Sequence, residues 1–202
     1  MHIGPKYKIA RRVGAPIFEK TQTQKYSLRA ERKAKTAKFG KPKSEYGAQL
    51  NEKQKARFTY GLSERQLSNY AHTAFAEKDP TQALHKALEM RADSAVYRAG
   101  FSSTRRAARQ AVSHGHFTIN GRRITTPSHA VRKGDVIAIR DGSKASSLFT
   151  QLAEQNRENG RPIPQWLSVD IDLLKAEVKG EPLYNTIETG LDYATVFEFY
   201  SR

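Results

Sequence analysis

The chain has 202 residues, 38% of them hydrophobic, enough for one medium domain or two small ones sharing a boundary. Its 35 Lys and Arg against 20 Asp and Glu leave a formal charge of +15 and a pI near 10.1, so a polyanionic partner would relieve the self-repulsion of the compact state. The lack of cysteine excludes disulfides, Cys-based zinc sites and thiol nucleophiles, while no apolar run reaches membrane-spanning length and the basic start has no signal-peptide core.

Nucleic acid is the commonest polyanionic partner. An anionic membrane surface is the rival, and a heparin-like polymer is a distant third. The charge is unevenly placed. Residues 1–60 hold 16 basic and 4 acidic side chains, and residues 91–140 hold 10 and 2. Residues 61–90 are nearly neutral, with 3 and 4, and residues 141–202 are acidic, with 6 and 10. Mere solubility would intersperse the signs. Two anion-contacting segments on a scaffold are expected instead.

Residues 1–42 form a basic N-terminal arm with twelve cations and little apolar periodicity. It is expected to be extended or only locally helical alone, ordering on a polyanion with counterion release. The alternative is a disordered solubilising tail. Gly4, Pro5, Gly14 and Pro16 oppose an amphipathic helix of the transit-peptide kind at the start. Ser44 to Tyr60 reads as a helix with Tyr46, Leu50 and Phe58 apolar, stopped by Gly61. Ser63-Glu64-Arg65-Gln66 is a capping-box pattern opening a second helix through Leu67, Tyr70, Ala71, Ala74 and Phe75. Asp79-Pro80 ends it, and Thr81 to Glu89 makes a third.

A short helix over Asp93–Tyr97 follows, closed by Gly100. Ser102 or Ser103 can cap the next, from about Thr104 to Ser113. Asn120-Gly121 between Phe117-Thr118-Ile119 and Arg122-Arg123-Ile124 is a strong hairpin signal. Val136 to Ile139 is a strand. Ser143 to Gly160 reads as a helix, Arg161 to Pro164 as a rigid linker, and Trp166 to Ile171 as a short strand. The aromatic end, Val196 to Tyr200, is expected to pack back on the scaffold.

Four constellations carry chemistry, each beside a plainer reading. Arg105, Arg106 and Arg109 lie on a helix whose other side is Ala107, Ala108, Ala111 and Val112. Arg105 and Arg109 share a face, and forks plus N-terminal amides suit phosphates. The plainer reading is a solvated basic face; the scarcity of nearby acids favours RNA. His114-Gly115-His116 lacks the carboxylate or Cys to complete a metal site, so hydrogen bonding or stacking on RNA, or a plain turn, are the readings. The hairpin cations Arg122 and Arg123, with Asn120 at the turn and Arg132-Lys133 downstream, can straddle a backbone, or Asn120-Gly121 simply makes a type I′ turn. Tyr26, Phe39, Tyr46, Phe58 and Tyr60 interleave with cations; base stacking is one reading, core packing the other for Tyr46, Phe58 and Tyr60. No phosphate-binding Gly-Lys-Ser/Thr loop and no nucleophile elbow is present, so catalysis finds little support.

The ordered motifs resemble a known family. Lys43-Ser44-Glu45-Tyr46-Gly47, Glu52-Lys53-Gln54-Lys55-Ala56-Arg57 and Tyr60-Gly61-Leu62-Ser63-Glu64-Arg65-Gln66 come first. Arg91-Ala92-Asp93, Val96 to Phe101, Thr104-Arg105 through Ala108-Arg109-Gln110, and Val112 to His116 follow. Asn120 to Arg123, Pro127-Ser128, Gly134 to Ile137, Pro164 to Leu167 and the close Phe199 to Arg202 complete the set. Together they resemble the small-subunit ribosomal protein S-four family, of bacterial or organellar type, over nearly the whole chain. The resemblance implies a primary binder of small-subunit ribosomal RNA that nucleates assembly of the subunit body. It also implies contact with a neighbouring S-five-type protein, a part in decoding accuracy with an S-twelve-type protein as functional neighbour, and a cytoplasmic ribosome as location. No Cys cluster stands near the N-terminus, so no metal and no cofactor are expected. Glu31 to Pro42 lacks the Pro-rich, Gly-His-Gly pattern of relatives, which leaves the arm's RNA path the least transferable feature.

The expected fold is α+β. A mostly helical scaffold, residues 43–90 plus 160–202, is interrupted by an inserted RNA-binding module, residues 91–150. The candidate RNA-binding residues of the module are Arg105, Arg106, Arg109, His114, His116, Asn120, Arg122, Arg123, Arg132 and Lys133. Those outside it are Arg11 and Arg12 in the arm and Lys43, Ser44, Tyr46, Lys53, Lys55 and Arg57 around the first scaffold helix. Neither membrane binding nor a homo-oligomer is expected. Reversing Arg105 and Arg109 to Glu is expected to weaken RNA binding and leave the fold intact. The competing functions are an RNA-modifying enzyme carrying the same kind of module and a free RNA chaperone.

Overall fold

The computed structural model describes residues 4–36, 44–150, 152 and 161–201. The chain is α+β and forms two compact units, Met1–Leu84 with Asn185–Arg202, and His85–Tyr184.

The first unit is helical. α1 spans Lys6–Val13 and α2 spans Gln24–Thr36. Gly4, Pro5, Gly14 and Pro16 were expected to oppose a helix at the start; instead they frame one. Pro5 precedes the first turn, and Gly14, at φ 79°, ends the helix with its N–H donating to Ala10 O. α1 buries Ala10 and Val13, three apart on one face, and Asn51 Nδ2 donates to Val13 O at 2.8 Å. The front of the arm is therefore docked on its unit rather than extended. Between α1 and α2, buried Thr21 Oγ1 donates to Phe18 O at 2.7 Å and holds the Phe18 ring inward.

α3 spans Glu45–Thr59 and α4 spans Glu64–Phe75. Ser44 Oγ accepts from Gly47 N, and Ser63 and Gln66 form the reciprocal capping box. α4 buries Leu67, Ala71 and Ala74 at helical spacing. α5, Pro80–Glu89, crosses the division between units. After the second unit come α9 (Thr186–Thr189) and α10 (Tyr193–Tyr200), the latter capped by Asp192. α10 packs on α3 and α4. Phe197 meets Phe75 edge-on at 4.6 Å between centroids, and the hydroxyls of Tyr193 and Tyr60 lie 3.3 Å apart.

The second unit has α6 (Ala92–Arg98), α7 (Arg105–Ser113), the hairpin β1 (Phe117–Ile119) and β2 (Arg122–Ile124), β3 (Val136–Ile139), and a short α8 (Asp141–Lys144). β4 (Leu167–Asp170) and β5 (Lys175–Val178) follow. The five strands form one antiparallel sheet in the order β2-β1-β3-β5-β4. The registers Phe117↔Ile139, Ile119↔Ile137, Ile137↔Ala176 and Leu167↔Val178 put one apolar face toward the helices. Phe101 stacks on Phe117 at 6.1 Å, and Phe149 meets the Phe117 ring edge-on at 5.8 Å. Each fully buried Phe is worth about 2–3 kcal/mol of burial.

Three expectations change here. Residues 160–184 were assigned to the helical scaffold, but β4 and β5 extend the module's sheet through β3↔β5 pairing. Within the expected helix over Ser143–Gly160, the helix Asp141–Lys144 gives way to turns as far as Thr150 and Leu152 is helical again; residues 151 and 153–160 lie outside the described ones. The cap of α7 is Thr104, whose Oγ1 accepts from Ala107 N at 3.0 Å. Ser102 and Ser103 instead offer their carbonyls to Arg161 Nη2, at 2.8 and 2.9 Å.

Candidate nucleic-acid interface

α7 buries Ala108, Ala111 and Val112, which distributes its arginines around the rest of the helix. Arg105 and Arg109 do share a face, but that face meets acids. Arg105 Nη2 lies 2.9 Å from Glu89 Oε1, and its Nη1 donates to Ser94 Oγ at 3.1 Å. Arg109 Nε lies 2.7 Å from Asp93 Oδ2. Glu89 and Asp93 are 1% and 3% exposed. Each takes a second guanidinium: Arg98 clamps Glu89 through Nε and Nη2 at 2.7 and 3.0 Å, and Arg91 clamps Asp93 through Nε and Nη2, both at 3.0 Å. The scarcity of acids along the local sequence therefore misled, because both carboxylates come from sixteen residues away. The double reversal to Glu at 105 and 109 would face two buried carboxylates with two more, so an intact fold is no longer the expectation. Arg106 points elsewhere. It is exposed and makes no ion pair among the described residues.

The turn after α7 joins the helix to the hairpin. Gly115, at φ 72°, lies under the Arg123 guanidinium, where an added Cβ would collide. Arg123 Nη2 donates to His114 O at 3.1 Å. His116 Nδ1 pairs with Ser143 Oγ at 3.0 Å, and its ring meets Phe149 edge-on. Burial holds His116 below the usual histidine range, helped by the charges of His114, Arg140 and Arg123. The ring thus carries a packing and hydrogen-bonding role. The two His rings are 6.0 Å apart, and no group of three or more His, Cys, Asp or Glu able to hold a metal occurs among the described residues.

Asn120 and Gly121, at φ 50° and 78°, fit the type I′ turn. The Asn120 amide is committed inward. Its Nδ2 donates to Asp135 Oδ1 at 2.8 Å, and its Oδ1 accepts from Val136 N at 2.9 Å. Asp135 Oδ2 also accepts from Arg132 N at 2.7 Å. These bonds lock the hairpin tip to the turn bearing Arg132 and Lys133. Arg122 neighbours Arg123 on β2 and so projects to the opposite face of the sheet. Arg122, Arg132 and Lys133 are exposed, without ion pairs among the described residues.

The basic candidates on the helical unit divide differently. Lys53 is 5% exposed, with Nζ 2.7 Å from Glu64 Oε1 and 4.2 Å from the Phe199 ring centroid. Arg57 Nη1 reaches Glu64 Oε2 at 3.3 Å and lies over Phe58, and Tyr200 donates to Glu64 Oε1 at 2.9 Å. Burial alone would raise the Glu64 pKa, but the bonds from Lys53, Tyr200 and Arg57 hold it below the usual range. Burial, then the bond to Glu64, raises the Tyr200 phenol. Lys55 pairs with Glu52 at 3.3 Å. Ser44 is the α3 cap, and the ring of half-exposed Tyr46 lies 5.7 Å from that of Phe199, tilted by 35°. Arg11 and Arg12 are exposed on α1, where Arg11 Nε donates to Tyr7 O. Lys43 and Phe39 lie outside the described residues. Among the described residues no helix is long and apolar enough to cross a membrane.

Two family profiles match the chain. That described as "Ribosomal protein S4/S9 N-terminal domain" covers residues 1–90, and that described as "S4 domain" covers residues 90–137. A protein of Lachnospira eligens named small ribosomal subunit protein uS4 is 42% identical over 175 residues, 86% of this chain and 87% of the relative. Relatives of the same name from Acinetobacter baylyi and Chromobacterium violaceum are 39% and 38% identical. Their alignments run over 206 and 208 residues, all of this chain and 99% and 98% of theirs.

Proposed function

The chain belongs to the uS4 family of small ribosomal subunit proteins, and from that premise we propose that it is a constituent of the small ribosomal subunit that binds the subunit's RNA. It is a structural protein rather than an enzyme. In this reading it binds the RNA early, helps nucleate the body of the subunit beside an S-five-type neighbour, and supports decoding accuracy together with an S-twelve-type protein. The setting is a cytoplasmic bacterial ribosome.

The observation that carries the reading is the set of exposed cations on the second unit, Arg106, Arg122, Arg132 and Lys133, which the fold leaves without ion pairs among the described residues. Such groups gain most from phosphates, because binding requires no internal bond to break. The test is binding of the full chain to deproteinised small-subunit ribosomal RNA over a salt series. Arg106→Glu combined with Arg122→Glu is expected to lower affinity at least tenfold, flatten the salt dependence by about one unit per lost phosphate contact, and leave the melting temperature unchanged. A folded double variant with wild-type affinity would remove these residues from the interface. Absence of binding by the wild-type chain would defeat the reading itself.

A further inference from the structure

Glu89 and Asp93 are two buried carboxylates that the RNA-binding reading does not use. Burying a carboxylate costs several kcal/mol unless it is paired, and an apolar residue in its place is often at least as stable. Here each carboxylate is more than neutralised. Glu89 is held by Arg98 and Arg105, and Asp93 by Arg91 and Arg109. Four guanidiniums thus converge on two carboxylates. The cluster reaches the surface, since the side chains of Arg98 and Arg109 are 36% and 30% exposed and that of Arg105 is 14% exposed.

We propose that Glu89 and Asp93 are positioning residues of the RNA-binding surface, holding Arg98, Arg105 and Arg109 as a preset row of guanidiniums for RNA phosphodiesters. The inference rests on the reading that the chain binds RNA. A free arginine side chain loses rotamer freedom when a ligand fixes it. A guanidinium already fixed by a buried carboxylate has lost that freedom on folding. The Tyr97 ring also meets the Arg105 guanidinium, 4.7 Å from its centroid. The planar fork of arginine is what a carboxylate can align; a lysine ammonium keeps the charge but not the alignment.

A positioning role and a plain charge effect predict opposite signs. Asp93→Asn and Glu89→Gln each raise the net charge by one, so charge alone would tighten binding to a polyanion. Positioning predicts weaker binding, by about tenfold for each. Arg105→Lys with Arg109→Lys keeps the net charge and leaves both carboxylates neutralised, yet it too is expected to lose about tenfold or more. Each variant would be measured as the full chain against deproteinised small-subunit ribosomal RNA, with circular dichroism to confirm folding.

Variants that bind as well as, or better than, the wild type overturn the proposal. Should the carboxylate variants fail to fold, the lysine pair decides, and a readout on the wild-type chain stands beside it. The Nε–H resonances of Arg105 and Arg109 are expected to be resolved and slowly exchanging in the free protein and to shift on adding a short RNA duplex. Unmoved resonances, in the presence of a duplex that binds, refute the proposal as well. Failure of the underlying RNA-binding reading is recognised separately, because then the wild-type chain binds neither RNA.

Discussion

The two units pair basic residues with carboxylates to different ends. On the helical unit, α3 turns Lys53 inward onto Glu64 and Phe199, and Arg57 joins the same carboxylate. The cations there tie the C-terminal helix α10 to α3 and α4. On the second unit, buried carboxylates hold Arg105 and Arg109, while Arg106, Arg122, Arg132 and Lys133 stay exposed beside them. A count of charges along a segment therefore measures neither stability nor binding. What matters is whether the fold supplies a desolvated partner.

The largest expected effect breaks the clamp itself. Asp93→Ala leaves Arg91, 3% exposed, without its bidentate partner, and should destabilise the second unit by about 3–5 kcal/mol in urea unfolding. A loss below about 1 kcal/mol would show that the buried pair is idle. Next comes Lys53→Met on the helical unit. The thioether fills similar space under Phe199, but the bond to Glu64 goes, so a loss of about 1–3 kcal/mol is expected. An unchanged midpoint would mean that Arg57 and Tyr200 satisfy Glu64 alone.

Acid sharpens the same contrast. The folded Glu64 pKa lies below its ordinary value of 4.5. Its contribution is therefore present above pH 4.5 and is lost as pH falls through the folded value. Between pH 6 and pH 3, the melting temperature of Glu64→Gln should fall less steeply than that of the wild type; parallel curves would refute the linkage. The smallest effect on stability belongs to the exposed set. Arg106→Ala should change unfolding by no more than about 0.5 kcal/mol, and a larger loss would reveal a structural contact for its side chain.

Much of the second unit was legible beforehand. Asn120-Gly121 carried its own hairpin, and the Ala-rich side of α7 named its buried face. The family resemblance rests on ordered motifs along nearly the whole chain, and the profiles and relatives bear it out. The docking of α1 is not legible in the local sequence, because the same proline and glycine that break helices also stand at the ends of this one. β5 was missed because Lys175-Ala176-Glu177-Val178 is a strand only when β3 and β4 flank it. Of the candidate RNA-binding residues, Ser44 and Asn120 have polar groups that serve a helix cap and a turn lock.

By itself the sequence determined α3, α4 and its capping box, the hairpin and the two blocks of positive charge, because these depend on neighbours within a few residues. Only the tertiary structure decided which cations remain for a partner. Glu89 finds Arg105, Asp93 finds Arg109, and Lys53 finds Phe199 across distances that no local pattern encodes. Burial then makes those pairings binding, since a charge removed from water cannot be left without its counterpart.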